Sequence, residues 1–169
     1  MMTQTQTGAL LHQDHLQTIA ILQSLDEVIG RHRNPPAVEG DLRTELQRLA
    51  ATMRAEVEQH FGFEENHLFP EFMRRGEMGI VTMLTHEHRA ILPLALEVAD
   101  RAEAALAGGF DAGDWQAFRD AAGELVEREI FHIQKEEMGL LAAISALLDP
   151  ATDATLAETY GKVVAKSAA

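Results

Sequence analysis

The last long helical stretch of the chain, residues 114–148, carries ionisable side chains in the middle of an apolar face. Apolar residues recur along it in steps of three and four, which is the spacing of the inward face of a bundle helix. Glu129, His132 and Glu136 occupy consecutive positions of that face. Burying such groups costs on the order of several kcal/mol unless they are paired or bind a metal. A metal site therefore accounts for all three with a single cause.

The same motif occurs twice in the sequence. His60 begins His-Phe-Gly-Phe-Glu-Glu and His132 begins His-Ile-Gln-Lys-Glu-Glu, so both share His-x-x-x-Glu-Glu. The four-residue step places the histidine and the first glutamate of each motif on one helix face. An acidic residue followed by histidine precedes the two motifs at nearly equal distances, 45 and 44 residues: Asp14-His15 and Glu87-His88. Self-similarity of this kind predicts two copies of a helical hairpin.

The apolar spacing, together with the helix caps and the helix-breaking residues, predicts an all-α fold with four long helices. Their expected bounds are residues 9–31, 41–69, 77–107 and 114–148. Short loops between them favour an antiparallel up-down-up-down four-helix bundle of two related hairpins. Pro70 is expected to end or kink the second helix, and Pro93 to kink or break the third. Residues 1–8 are expected to be disordered, residues 9–149 to form the bundle, and residues 150–169 to form a tail or a short helix.

The loop positions place one histidine of each helix at nearly the same height in such a bundle. Each lies 21 to 24 residues from the loop at one end, a spread of about one helical turn. The predicted metal ligands are therefore His15, His60, Glu64, His88, His132 and Glu136. Imidazole and carboxylate together suit iron, manganese or zinc. Glu64 and Glu136 come from different helices and could bridge a metal pair in which each ion keeps two histidines.

Two further glutamates lie about one turn before the motif histidines. Glu56 precedes His60 in this way, and Glu129 precedes His132. A carboxylate so placed could accept a hydrogen bond from the far N–H of a metal-bound imidazole. The alternative is that both glutamates are solvated or ion-paired. The sequence leaves these two interpretations equally open.

Three other residues are additional candidates for the site. His12 lies one turn before the predicted ligand of the first helix, so it could be a fifth histidine ligand or support another ligand. His86 is two residues from His88, which turns it roughly 200° around the helix, and it is expected to face elsewhere. Glu137 directly follows Glu136. Glu136 is favoured as the ligand because it lies on the apolar face.

These motifs resemble the hemerythrin-like, or HHE cation-binding, domain family. The resemblance spans residues 12 to 137, in four pieces: Asp14-His15, His60-Phe-x-x-Glu64-Glu65 through Leu68-Phe69-Pro70, Glu87-His88, and His132-x-x-x-Glu136-Glu137. It implies a four-helix bundle with a non-haem di-iron centre. The two iron ions would be bridged by oxide or hydroxide, with manganese or zinc as substitutes. Members of the family carry oxygen, sense oxygen or iron, or handle nitric oxide and peroxide.

The chain departs from the oxygen-carrying members of that family at two places. Carriers have His-x-x-x-His on the third helix, whereas the positions four residues from His88 are Leu84 and Leu92. The fourth helix of carriers has an aspartate five residues after its histidine, where this chain has Glu137. The missing fifth nitrogen predicts that O2 is not bound reversibly, and the chain looks closer to the members that repair or sense iron.

The expected function is that of a non-haem di-iron protein that binds or reacts with O2, NO or peroxide, and redox catalysis stays open. The alternatives are an iron- or oxygen-responsive sensor or interaction module without turnover, and metal storage or buffering. A net charge of −13 argues against nucleic acid and anionic membranes as partners. The absence of cysteine excludes thiolate and iron–sulfur sites. Without a signal-peptide pattern or a membrane-length apolar run, a cytoplasmic location is expected, while the oligomeric state stays open.

Overall fold

The computed structural model describes residues 5–167, which are all-helical and contain no strand. Within that range five helices follow one another: α1 Gln6–Arg31, α2 from Gly40 to Arg74, α3 Gly79–Gly108, α4 from Ala112 to Leu147, and α5 Pro150–Ser167. Two of them contain wider, π-helical turns. These turns are Glu56–Phe61 and Glu64–Leu68 in α2, and Glu136–Leu140 in α4.

The two ends of the chain differ from the predicted bounds. α1 begins at Gln6 because the Thr5 hydroxyl caps it, accepting a hydrogen bond from the Gly8 N–H at 3.2 Å. Residues 6–8, which were expected to be disordered, are therefore helical, while residues 1–4 lie outside the described residues. The segment for which a tail or a short helix stayed open forms α5, up to Ser167. The Asp149 carboxylate caps this helix, and Pro150 stands at its first position.

Neither interior proline ends its helix. α2 continues through Pro70 to Arg74, and α3 runs through Pro93 without a break. Of the two outcomes predicted near Phe69, an end or a kink of the helix, the end is therefore wrong. A π turn directly precedes Pro70, and in it the Phe69 N–H bonds to the carbonyl of Glu64, five residues back. This wider turn changes the hydrogen-bonding register just where proline cannot donate.

The four long helices enclose a shared interior. α1 packs against α2 and α4, and α3 packs against the same two helices, so the contacts close into a ring. Two apolar clusters fill that interior at opposite ends. The first includes Leu22, Leu49, Val98, Trp115 and Phe118, and the second includes Leu11, Phe69, Phe72, Leu84 and Leu140.

Along every one of these helices, the predicted metal-binding histidine lies between the two clusters. α5 packs on α1 and on the π turns of α2, beside the second cluster. None of the described helices has the length and apolar character needed to cross a membrane.

Candidate metal centre

A layer of buried ionisable side chains separates the two apolar clusters. One histidine comes from each of α1 to α4, and each is at most 2% exposed: His15, His60, His88 and His132. Glu64 and Glu136 lie among them and are completely buried. Carboxylates are almost never buried in this way unless they are paired. The six residues predicted as ligands therefore lie in one layer of the bundle.

The first half of the layer is formed by α1, α2 and α4. The Nε2 atoms of His15 and His60 lie 3.3 Å apart. Glu136 Oε2 is 2.9 Å from His15 Nε2 and 3.6 Å from His60 Nε2. These three potential ligand atoms lie within 4.8 Å of one another, so they could share one metal ion.

The second half of the layer uses the other oxygen of the same carboxylate. Glu136 Oε1 is 3.0 Å from His132 Nε2 and 3.7 Å from His88 Nε2. These three residues form another group whose potential ligand atoms lie within 4.8 Å of one another. The two oxygens of Glu136 therefore point to different histidine pairs.

Glu64 lies across the two halves in the same manner. Its Oε1 is 3.4 Å from His60 Nε2, and its Oε2 is 3.3 Å from His88 Nε2. Glu64 and Glu136 are also each the first residue of a π turn. Such turns locally change the side-chain spacing along a helix and are frequent at functional sites. In both copies of the repeated motif the first glutamate thus begins a π turn, and only His60 also lies within a π turn of its own, Glu56–Phe61.

The far nitrogen of each histidine contacts a carboxylate on another helix. The Nδ1 distances are 2.5 Å for His15 to Glu137, 3.2 Å for His60 to Asp14, 2.8 Å for His88 to Glu65, and 2.9 Å for His132 to Glu87. A carboxylate at Nδ1 holds the proton on that nitrogen and leaves the Nε2 lone pair for a metal. All four Nε2 atoms therefore face the interior as potential ligands.

This arrangement differs from the role considered for Glu56 and Glu129. Glu56 lies on the inner side, with Oε1 3.8 Å from His60 Nε2, and its other oxygen accepts a hydrogen bond from Thr18. Neither oxygen of Glu129 has a hydrogen-bond partner among the described residues. Both side chains are buried, which contradicts the solvated alternative, whereas the contact between Glu56 and His60 agrees with the ion-paired one.

Sequence reasoning gave no role to three of the carboxylates that do contact the far nitrogens: Asp14, Glu65 and Glu87. The signal was present, because two of them directly precede a histidine and Glu65 follows Glu64 in the repeated motif. This sequence pattern was not sufficient to assign their role. Each carboxylate contacts a histidine on another helix, and sequence spacing does not show which histidine that is.

The remaining candidates lie outside the layer. His12 is 40% exposed, and its Nδ1 is 2.9 Å from Glu137 Oε2, so it contacts the carboxylate that holds His15. It belongs to neither group of potential ligand atoms. His86 is exposed and lines a surface groove with Phe131, as its position on the helix predicted.

The charges of the layer depend on one another. Burial disfavours the charged imidazolium, but the nearby carboxylates outweigh it and raise the pKa of His88 to about 10 and that of His132 to about 9. Burial alone would raise the pKa of Glu136, yet the surrounding histidines, His132 above all, hold it well below its usual range. Burial, together with the charge of Glu56, raises the pKa of Glu129 to about 8. The histidines thus hold protons where a metal would provide positive charge.

Several buried polar atoms of the layer have no hydrogen-bond partner among residues 5–167. They include His88 Nε2, His132 Nε2, both oxygens of Glu64 and one oxygen of Glu136. Unpaired polar atoms at such depth are costly, and their clustering calls for a group that satisfies them together. Imidazole nitrogens and carboxylate oxygens are ligands for divalent transition metals. The residues therefore fit bound metal ions.

These features define a helical protein with a buried layer of histidine and glutamate that could hold metal ions. Its sequence matches the family model described as "Hemerythrin HHE cation binding domain" over residues 8–144. The chain therefore belongs to the hemerythrin HHE cation-binding family, which confirms the resemblance seen in its motifs. A search among curated proteins returns no match. The matched range includes the whole layer but ends before α5.

Proposed function

We propose that this protein is a non-haem di-iron protein whose two ions lie in the buried layer. One ion would be held by the first histidine pair, the other by the second, and the two carboxylates would bridge them: His15 with His60, His88 with His132, and Glu64 with Glu136. The observation that carries this proposal is the direction of the carboxylate oxygens. Each carboxylate points one oxygen to each histidine pair.

We infer that α1 to α4 form an antiparallel up-down-up-down bundle built from two repeated hairpins. The ring of helix contacts and the short loops favour this arrangement. The far-nitrogen contacts support the repeat, because they occur in matched pairs. Asp14 faces His60 within the first hairpin as Glu87 faces His132 within the second. The other two contacts each join one hairpin to the other.

An iron pair would supply binding of, and redox reaction with, O2, NO or peroxide, and manganese or zinc could occupy the same ligands. The protein's own part is to present the ligands and to limit the access of water. The carboxylates at Nδ1 hold the imidazoles in one tautomer. The apolar clusters close the layer from both ends of the bundle. The rings of Phe61 and Phe69 stack with the imidazole of His88, at centroid distances of 3.9 Å and 5.8 Å.

We further propose that the protein does not carry O2 reversibly. Leu84 and Leu92 occupy the positions at which carriers would have a fifth histidine, and His12 faces Glu137 instead of the layer. Two histidines and two shared carboxylates would leave coordination positions open to a small molecule at both ions. The test is to expose the reduced, iron-loaded protein to O2, remove the gas and follow the visible spectrum. We expect no return to the starting spectrum, and full recovery would refute this proposal.

The direct test of the metal centre is to load the protein with iron under anaerobic conditions and to measure the bound metal. We expect two ions per chain. One ion or none would contradict the proposal. Zinc in a recombinant sample would not, because zinc competes well for imidazole and carboxylate ligands.

A further inference from the structure

α5 lies outside the matched range of the family, yet it adds a polar contact to the layer. Tyr160 is 7% exposed, and its hydroxyl donates a hydrogen bond to Asp14 Oδ2. The same carboxylate oxygen is 3.2 Å from His60 Nδ1. A single oxygen atom thus connects the phenol of α5 to a candidate metal ligand of α2.

A second contact fixes the register of α5 against α1. The Asp153 carboxylate accepts hydrogen bonds from the backbone N–H groups of Gln6 and Thr7, at 2.8 and 2.9 Å. The Thr7 hydroxyl donates in turn to the Asp153 carbonyl. A buried carboxylate at a helix N-terminus is favourable because it pairs with free N–H groups and with the helix dipole.

The two contacts have the same spacing on both helices. Asp153 and Tyr160 are seven residues apart on α5, as are Thr7 and Asp14 on α1. Seven residues are close to two full helical turns, so each pair lies on one helix face. The two helices run in the same direction along this contact. The hydrogen bonds between Asp153 and the start of α1 therefore bring Tyr160 level with Asp14.

We propose that Tyr160 is a positioning residue for the half of the metal centre formed by His15 and His60. Its hydroxyl holds the Asp14 carboxylate against His60, and this inference rests on the proposed function. The Asp14 side chain is 25% exposed and could otherwise turn towards solvent. The phenol is neutral, so it fixes the direction of the carboxylate without cancelling its charge. Asp14 Oδ2 therefore stays in place to accept the His60 N–H.

The test uses the full chain, prepared without metal and titrated with Co2+ as the probe. Tyr160→Phe removes only the hydroxyl and leaves the ring packed against Phe63, whose centroid is 5.1 Å away. We expect one of the two cobalt ions to bind about 10-fold more weakly, the lower end of what outer partners of metal-binding histidines contribute. The affinity for the other ion should stay as in the wild type.

A spectroscopic signal distinguishes positioning from general stability. In the cobalt-loaded protein we expect each histidine N–H to give a separate, strongly shifted proton resonance, and Asp14→Asn is used to identify the one that belongs to His60. We expect Tyr160→Phe to shift that resonance, or to speed its exchange with solvent, and to leave the other three in place. Leu156→Ala is the control, because it weakens the packing of α5 in the second apolar cluster while the hydroxyl stays.

The outcomes separate the two proposals. A change in the His60 resonance with Tyr160→Phe, but not with Leu156→Ala, supports the positioning role. Unchanged affinities and resonances in Tyr160→Phe would overturn it, as would an equal effect of both variants on both ions. A wild-type protein that takes up fewer than two cobalt ions would instead refute the two-metal proposal, and the positioning role with it.

Discussion

The two halves of the proposed metal centre have equivalent candidate ligands but different surroundings. At the first half, the outer carboxylate Asp14 is held by the neutral hydroxyl of Tyr160. At the second, the corresponding Glu87 is paired with the ammonium group of Lys135. An ammonium partner cancels much of the charge of a carboxylate, whereas a phenol does not. His132 and His60 therefore face carboxylates with different partners, at Nδ1 distances of 2.9 Å and 3.2 Å.

The inner carboxylates, Glu56 and Glu129, also differ between the two halves. Glu56, beside the first half, accepts a hydrogen bond from Thr18 at 3.0 Å. Glu129, one turn before His132, has no such partner among the described residues. The repeated motif thus supplies the same kinds of side chain to both halves, while Tyr160 and Thr18, which lie outside the motif, and Lys135, at one of its variable positions, make the surroundings different. We expect the two metal positions to be inequivalent in affinity and spectrum.

The largest effect should come from the residue that belongs to both halves. Glu136→Ala removes a carboxylate whose two oxygens face different histidine pairs, so both ions should be lost. We expect affinity to fall by more than about 100-fold at both positions, since even outer partners contribute 10–100-fold. The measurement is metal content after gel filtration. Glu127→Ala, an exposed glutamate of the same helix, is the control and should retain two ions.

Removing one histidine should abolish the binding of one ion and leave the other ion bound. His60→Ala should lose the first ion and keep the second, while His132→Ala should do the reverse, because each histidine belongs to one group of potential ligand atoms. Metal analysis combined with the cobalt spectrum identifies the remaining ion. His86→Ala should leave the content unchanged. Loss of both ions in that variant would show that the assigned ligands of α3 are wrong.

The outer carboxylates should have a smaller effect, confined to one ion. Glu87→Gln keeps the shape of the side chain but removes the charge that accepts the His132 N–H, at 2.9 Å. We expect the second ion to bind about 10–100-fold more weakly and the first to be unaffected. Competition with a coloured chelator measures both affinities. An equal loss at both positions would argue against separate halves.

The sequence was sufficient to predict the four long helices, apart from some of their ends, and the residues of the inner layer. Both follow from periodicity: a buried helix face repeats every three to four residues, and ionisable groups on that face must share a partner. His60 and Glu64 could be placed together because the step of four is local. The levels of the four histidines followed from counting residues to the loops.

The outer contacts could not be predicted in this way. Asp14 adjoins His15 in sequence but contacts His60, and Glu65 contacts His88 on another helix. Which neighbour a side chain reaches depends on the rotation of each helix within the bundle, and the π turns change that rotation. Tyr160 was missed for a related reason, because a weak helical pattern does not show on which helix α5 packs.

The smallest effect concerns stability, and it compares the inner carboxylates. Burial raises the pKa of Glu129 to about 8, from 4.5. A carboxyl whose pKa is higher in the folded state than in the unfolded state costs stability when it ionises. In the metal-free protein this cost is absent below about pH 4.5, grows as the pH rises, and is complete above about pH 8. Glu129→Gln cannot ionise and should remove it.

We therefore expect Glu129→Gln to raise the melting temperature of the metal-free protein at pH 8.5 and to change it little at pH 5. Each 1 kcal/mol gained corresponds to roughly 2–4 °C for a domain of this size. Thermal unfolding followed by circular dichroism measures the difference, with Glu127→Gln as the exposed control. With metal bound the sign should reverse, because the ions make a nearby negative charge favourable. A gain that is the same at both pH values would show that packing, and not the charge of Glu129, is responsible.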